Sequence, residues 1–433
     1  MRTLLSVRVF VSLSAMLFTL TVIAPTIWSA GPDESSFKQI SNGFAEEFCR
    51  AQFAMSKDMG DSPPIPAEEC NFDAALEEFT GPEGVGDGLG PVFNAAGCGE
   101  CHGTPMIGGS SQVAEKRAGF LRNGTFFDPP GGSLIQDRSI DPRVQELVPR
   151  GANVVAFRAS LSILGLGFVE AIANETLVNI QKNQSADVRG HLIQVPVLEV
   201  PGTTRVGRFG WKNQQASLLS FSADAYVNEM GITSPMQRDE NSFNGDVAAA
   251  AKYDKVPLNA PTEVDDEGVD VALFALFMRS TLPPPRDVAL AGTRKALNGS
   301  LLFDRIGCAE CHTRTIVTAK PGTWINGDKD RGYALRVGNA LGNKTIEPFS
   351  DFLLHDIGTG DGIVQNGGQQ TRNMLRTVPL WGLRARGRFM HDLQSLTLTD
   401  AINRHGGQAL KARRNFDDLR SQKEDVLTFL MSL

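Results

Sequence analysis

Apolar positions recur with helical spacing in four stretches, and the chain between them is rich in glycine, proline and polar residues. Residues 214–230 place Leu218, Phe221 and Ala225 on one helical face. Residues 269–282 (VDVALFALFMRSTL) form the strongest helix, which must stop at Pro283-Pro284-Pro285, since proline lacks an amide N–H and crowds the preceding turn. The pattern restarts over 291–306, and a last helix closes the chain at 416–433. Apolar density rises from Val154. The run 160–172 (SLSILGLGFVEAI) predicts buried structure with glycines where another group approaches the backbone. The glycine-rich run 81–90 and the triple proline mark boundaries.

The two closing helices resemble each other: Phe277-Met278-Arg279-Ser280-Thr281-Leu282 against Phe429-Leu430-Met431-Ser432-Leu433. Each half runs helix, short cysteine motif, long loops, closing helix, which predicts a duplication. The expected fold is mainly α: two cytochrome-c-like domains with long loops and an inserted region in the first. The expected organisation is an export signal over 1–30, a leader over 31–80 packed on the surface, a first domain over 81–285 and a second over 286–433. Arg2 and Arg8 precede an apolar run from Val9 to Ile23, and Ser29-Ala30 would end a signal peptide; an uncleaved anchor is the alternative. No later stretch is long and apolar enough to span a bilayer.

The net charge of −7 argues against nucleic acid and anionic membrane surfaces as partners. Cysteine usage carries more. Of six cysteines, four lie in Cys98-Gly99-Glu100-Cys101-His102 and Cys308-Ala309-Glu310-Cys311-His312. Cys-x-x-Cys-His is the spacing of covalent c-type haem attachment: two thiols one turn apart add to the vinyl groups, and the histidine ligates iron. A zinc site would need further Cys or His close by, yet the next after each motif are His191 and His355. A redox dithiol needs neither the histidine nor a second copy. The remaining pair, Cys49 and Cys70, suits a disulfide in an oxidising compartment.

A histidine-ligated iron has a second axial position, and its occupant separates electron transfer from chemistry. His355, His391 and His405 all lie in the second half in loop-like contexts, and spacing alone does not choose among them. His191 reads as a surface residue.

Several further stretches carry a family likeness. In the first half these are Gly90-Pro91-Val92-Phe93-Asn94, the run 164–172 (LGLGFVEAI), Arg208-Phe209-Gly210-Trp211-Lys212 and Glu229-Met230-Gly231-Ile232-Thr233. In the second they are Leu353-Leu354-His355-Asp356-Ile357-Gly358, Arg376-Thr377-Val378-Pro379-Leu380-Trp381-Gly382-Leu383, Met390-His391-Asp392 and His405-Gly406-Gly407. From about residue 81 to the C-terminus the sequence resembles the bacterial di-haem oxidoreductase family. It is more distantly similar to di-haem cytochrome c peroxidases and to the di-haem enzyme that matures methylamine dehydrogenase. In those relatives the residue fourteen positions after the histidine of a His-Asp-Gly motif ligates the C-terminal haem. The resemblance therefore implies a haem held between His312 and His405, with His391 ordering the pocket and His355 either doing the same or contacting the haem. The peroxidases also hold a calcium between their haems with a Thr and a Pro ahead of that motif. Here Arg386-Gly387-Arg388-Phe389-Met390 stands in their place, which weakens the case for calcium.

The N-terminal haem is less determined. The peroxidases place a distal histidine soon after the first motif, and this chain has none there. Either Met230 caps that iron or the pocket is open, and Glu229 is then the candidate acid/base for peroxide. Trp211 is a candidate electron relay between the haems. The expected function is that of a periplasmic di-haem oxidoreductase of peroxidase type, fed by an electron-donor protein and reducing peroxide or another oxidant. Its rivals are a pure electron carrier with both irons capped and an oxidant of a partner protein's side chains.

Overall fold

Two helix pairs frame the molecule, each beside one cysteine motif. The computed structural model describes residues 39–59, 65–256, 263–327 and 335–433, and the export segment expected at 1–30 lies outside them. Helix α1 (Phe44–Met59) is tied by a Cys49–Cys70 disulfide to the start of α2 (Phe72–Thr80). The Asn71 side chain caps α2 by accepting from the Ala74 amide at 2.9 Å. Residues 72–80, assigned by sequence to a surface leader, instead bury Phe72, Ala75 and Phe79 against the apolar helix of the first half. The segment is therefore part of the core, and its alternation of aromatic and acidic residues had disguised this.

Helix α3 (Leu218–Ala225) starts one residue after Ser217, whose hydroxyl accepts from the amides of Leu219 and Ser220. It continues as a π-helical turn over Tyr226–Met230 and stops at Gly231, which adopts a left-handed conformation (φ 79°). A Cβ on Gly231 would overlap the Gly90 carbonyl, so this turn is pinned to the start of the first motif's loop. Helix α4 (Val269–Ser280) is the apolar helix expected at 269–282, and it ends as Thr281 turns extended before the prolines.

In the second half, α5 (Arg294–Arg305) crosses α7 (Lys423–Leu430) so closely that a Cβ on Gly299 would overlap the Asp425 carbonyl. The predicted terminal helix is broken: α6 (Leu410–Asp418) and α7 are separated by a turn in which Arg420 takes φ 52°. The cluster of Leu302, Phe303, Phe416, Val426, Phe429 and Leu430 fills the space between these helices. Burying each such side chain contributes roughly 1.5–3 kcal/mol, so packing rather than propensity holds these short helices.

The mainly α expectation fails. Strands form one four-stranded sheet and five two-stranded ones among the described residues. The largest sheet occupies the inserted region: β1 (Ala114–Arg122) pairs with β2 (Thr125–Phe127), β3 (Leu134–Ile135) and β4 (Val154–Ala159), all antiparallel. The period-2 signal of β1 was hidden because one of its faces presents Glu115 and Arg117 to a buried ionic network instead of apolar side chains to a core. No helix of the described residues is long and apolar enough to cross a membrane.

Candidate functional site

Each Cys-x-x-Cys-His motif lines its own large cavity. The first cavity, about 600 Å³, is bounded by Cys98, Cys101, His102, Phe79 and residues of α3 and α4. The second, about 400 Å³, is bounded by Cys308, Cys311, His312, Phe303 and residues of α6 and α7. Both volumes lie in the range of cofactor pockets.

The two motifs are built alike. The histidine amide donates to the first cysteine's carbonyl at 3.0 Å in both, His102 to Cys98 and His312 to Cys308. A phenylalanine from the preceding helix lies 6.1 Å from each imidazole, Phe79 at His102 and Phe303 at His312. Each phenylalanine packs in turn on the closing helix: Phe79 on Phe277 at 4.7 Å and Phe303 on Phe429 at 5.4 Å. Phe277 and Phe429 head the two similar closing sequences, so the repeat visible in the chain recurs as repeated packing.

The side chains suit ligation of a haem iron. His102 Nδ1 faces the Gly109 carbonyl at 3.2 Å, and His312 Nδ1 faces the Phe349 carbonyl at 2.9 Å. A ring nitrogen facing a carbonyl must donate, so the proton sits on Nδ1 and Nε2 carries the lone pair a metal needs. Burial lowers the pKa of both imidazoles, and burial together with nearby His405 takes His312 to about 4, so both are neutral. Neither cysteine pair is joined as a disulfide. Burial pushes the Cys98 and Cys308 thiols up to about 12, contrary to the low values of redox dithiols.

His405 lines the second cavity with His312. Its Nδ1 donates to the Ala401 carbonyl at 2.8 Å, the same tautomer-setting bond found at the two motif histidines. His355 differs. Its Nε2 meets the Asp351 carboxylate at 2.8 Å, and its Nδ1 lies 3.7 Å from Cys311 Sγ. Burial alone would lower its pKa, but Asp351 and Cys311 outweigh that and raise it to about 10. With both nitrogens engaged and protonated, His355 offers no lone pair to a metal in this arrangement. His391 lines the second cavity, buried, with Nδ1 unpartnered. His191 is half-buried and bridges Leu354 through its backbone.

Trp211 borders both cavities. Its indole N–H donates to the Ala159 carbonyl at 2.8 Å, and its ring meets His391 edge-on at 6.0 Å. The Ala159 amide donates to the His391 carbonyl at 2.7 Å, so the strand end of β4 fixes both residues.

The first cavity contains a pair of acids that the second lacks among its described residues. Glu229, on the π-helical turn, is hydrogen-bonded to Glu115 of β1. Asn94 Nδ2 donates to Glu229 Oε2 at 2.7 Å. Burial and the charge of Glu115 hold the Glu229 carboxyl well above the usual range. Burial pushes Glu115 up as well, but Arg117, bonded at 2.6 Å and 3.1 Å, and Arg158 outweigh it and keep Glu115 ionised. Two carboxyls thus share one proton, with the proton on Glu229. Met230 lines the same cavity, buried, one residue further along the turn. Nothing in the sequence marked Glu115 or Arg117 as site residues, and Asn94 stood out only as the end of the stretch Gly90-Pro91-Val92-Phe93-Asn94. Only an alternating pattern read across charged positions would have put Glu115 on an inward face.

A family model described as "Di-haem oxidoreductase, putative peroxidase" matches residues 144–433. A search of curated proteins finds no match. Among solved structures, the chain is similar to hydrazine synthase from Kuenenia stuttgartiensis, with 13% identity and a TM-score of 0.37 over 99% of this chain and 100% of that one. It is also similar to a MauG-like protein associated with microbial copper homeostasis, with 16% identity and a TM-score of 0.38 over 86% of this chain and 90% of that one. Likenesses this distant carry no argument about fold or activity.

Proposed function

Because the chain belongs to the di-haem oxidoreductase family, we propose that it is an exported, peroxidase-like enzyme in which the two cavities divide the work. In this reading Cys98, Cys101 and His102 hold one haem, and Cys308, Cys311 and His312 hold the other, in two cytochrome-like units divided near the triple proline. Bound haem would supply a redox-active iron that exchanges electrons and meets the oxidant. The protein residues do the rest.

The observation that carries the proposal is the Glu115–Glu229 pair opening on the first cavity only. Reducing an O–O bond to water consumes protons, and a carboxylic acid held neutral near pH 7 is suited to donate one. Glu229 holds that proton, with Asn94 fixing one carboxylate oxygen. That proton ends in water, so Glu115, kept ionised by Arg117, takes up a fresh proton from solvent and passes it to Glu229 across their shared hydrogen bond, which resets the pair. In the second cavity His405 turns a lone pair toward the space it shares with His312, which suits a capped, electron-transferring site. Trp211 borders both cavities and meets His391 edge-on, which suits it to relay electrons between the two sites. An electron-donor protein would then serve the second site and peroxide the first.

The testing experiment is stopped-flow mixing of the half-reduced holo-protein with hydrogen peroxide, in wild type and Glu229→Gln. Fast oxidation in wild type, slowed in the variant with unchanged resting spectra, is the expected result. A wild type inert to peroxide in every redox state would leave an electron carrier instead.

A further inference from the structure

Six cationic side chains are deeply buried among the described residues, and five of them have an acid nearby. Arg158 and Lys212 pair with Asp361 at 2.6 Å and 2.9 Å. Arg279 pairs with Glu170 at 2.7 Å, and Arg205 lies in the field of Glu170 and Glu199. Arg208 lies in the field of Glu170 and Glu175. Arg376 is the exception. It is 5% exposed, and the charged group that acts on it is another cation, Arg386. Burial and that neighbour bring its pKa down to about 9, which is still charged at neutral pH.

The geometry fixes this charge firmly. Arg376 belongs to the short strand Leu375–Arg376, paired with Leu354–His355. Its amide donates to the Trp211 carbonyl at 2.8 Å, and its Nε donates to the Gly210 carbonyl at 2.7 Å. Nη1 is buried with no partner. The side chain borders both cavities. Arg386 borders the second cavity, and its Nη2 donates to the Pro379 carbonyl at 2.9 Å. A buried cation without an anion is strongly unfavourable, and backbone carbonyls alone do not offset its lost hydration. The missing anion has to come from whatever fills the cavities. Haem brings two propionate carboxylates, and the guanidinium fork matches a carboxylate's two oxygens.

We infer that Arg376 is a carboxylate-binding residue shared by the two cavities, taking propionates of both haems, with Arg386 adding a second cation on the side of the second haem alone. This rests on the di-haem reading above. One fixed positive charge between two irons stabilises the reduced form of each. Removing it should shift both midpoint potentials negative, whereas removing Arg386 should shift mainly one.

The test is a spectroelectrochemical titration of the full-length holo-protein, after a pyridine haemochrome assay has counted its haems. A count other than two overturns the di-haem reading and is distinguishable from failure of the arginine assignment. With two haems present, Arg376→Gln should move both potentials negative, Arg376→Lys should restore most of the shift, and Arg386→Gln should move one. Unchanged potentials in Arg376→Gln would overturn the assignment. Should that variant fail to fold, resonance Raman of the wild type decides: the propionate bending bands should shift on exchange into D2O, and bands that do not move would contradict it. Sodium acetate is the probe for a free anion. If it shifts the wild-type potentials and Arg376→Gln abolishes that shift, the guanidinium takes a free carboxylate and the inference falls.

Discussion

The two cavities share a frame and differ in finish. In both, a helix delivers a phenylalanine that lies tilted 6.1 Å from the motif histidine, and a closing helix packs a second phenylalanine behind. In both, a backbone carbonyl fixes the histidine's tautomer. The first cavity then adds a carboxyl pair that shares one proton, and the second adds His405, held in the same tautomer as the motif histidines. Frame residues set where a cofactor sits, and the additions set what it can do there. An account based on the motifs alone would make the two sites equivalent.

The comparison breaks most severely if the frame is removed from one side. Cys308→Ser with Cys311→Ser should abolish covalent haem at the second site and leave the first, so intact mass should fall by one haem. Retention of two would mean that the motifs are not the attachment points. Next in size is the acid pair. Glu229→Gln should slow the peroxide step roughly 100-fold, the usual scale for losing a general acid, with absorption spectra nearly unchanged. An equal slowing from His391→Ala with no spectral change would instead place proton delivery at the second cavity. His405→Ala should convert one low-spin haem to high-spin and raise its potential, because a strong donor to ferric iron is lost. Spectra identical to wild type would remove His405 as a ligand, and with His355 already engaged by Asp351 no other histidine in that cavity shows the required tautomer.

Smaller effects probe the helix pairs. Gly299→Val forces α5 from α7 and should destabilise the second unit by roughly 1–3 kcal/mol, the scale of overpacking, seen in chemical denaturation. A melting curve matching wild type would show that the crossing is looser than the structure has it. At the first pair, Glu78, Glu83 and Asp270 lie together, with the Tyr226 hydroxyl 3.0 Å from Glu83 and 3.1 Å from Asp270. Burial, then the charge of Asp270 and its neighbours, raises Glu78 from 4.5 to about 7. Its folded pKa therefore exceeds its unfolded one. The stability it contributes is fully present below pH 4.5 and is lost as pH rises through about 7. Thermal stability should fall between about pH 4.5 and 7, the window between those two values, and Glu78→Gln should flatten that slope. An unchanged slope would put the titration elsewhere.

Much of the frame was legible in the sequence. The motifs, the apolar helix before the triple proline, and the similarity of residues 277–282 to 429–433 each recur in the packing. The pairing of Cys49 with Cys70 was also readable, by elimination once four cysteines were assigned to motifs. What hid was structure held by polar contacts. Strand β1 carries Glu, Lys and Arg where a half-buried strand usually carries apolar residues, so neither the sheet nor the role of Glu115 announced itself. The mainly α expectation failed for the same reason. Helix α2 was missed because its buried face holds only Phe72, Ala75 and Phe79 among acids. Arg376 was legible as part of a motif, but its lack of an anion appears only when both cavities are seen around it.

The central claim is that the two irons differ in coordination because the protein finishes two similar pockets differently. Low-temperature electron paramagnetic resonance of the fully oxidised holo-protein tests it most directly. The account predicts one high-spin ferric signal from the site beside Glu229 and one low-spin signal from the site between His312 and His405, in equal amounts. Two low-spin signals, with no high-spin component at any pH where the protein is folded, would contradict it.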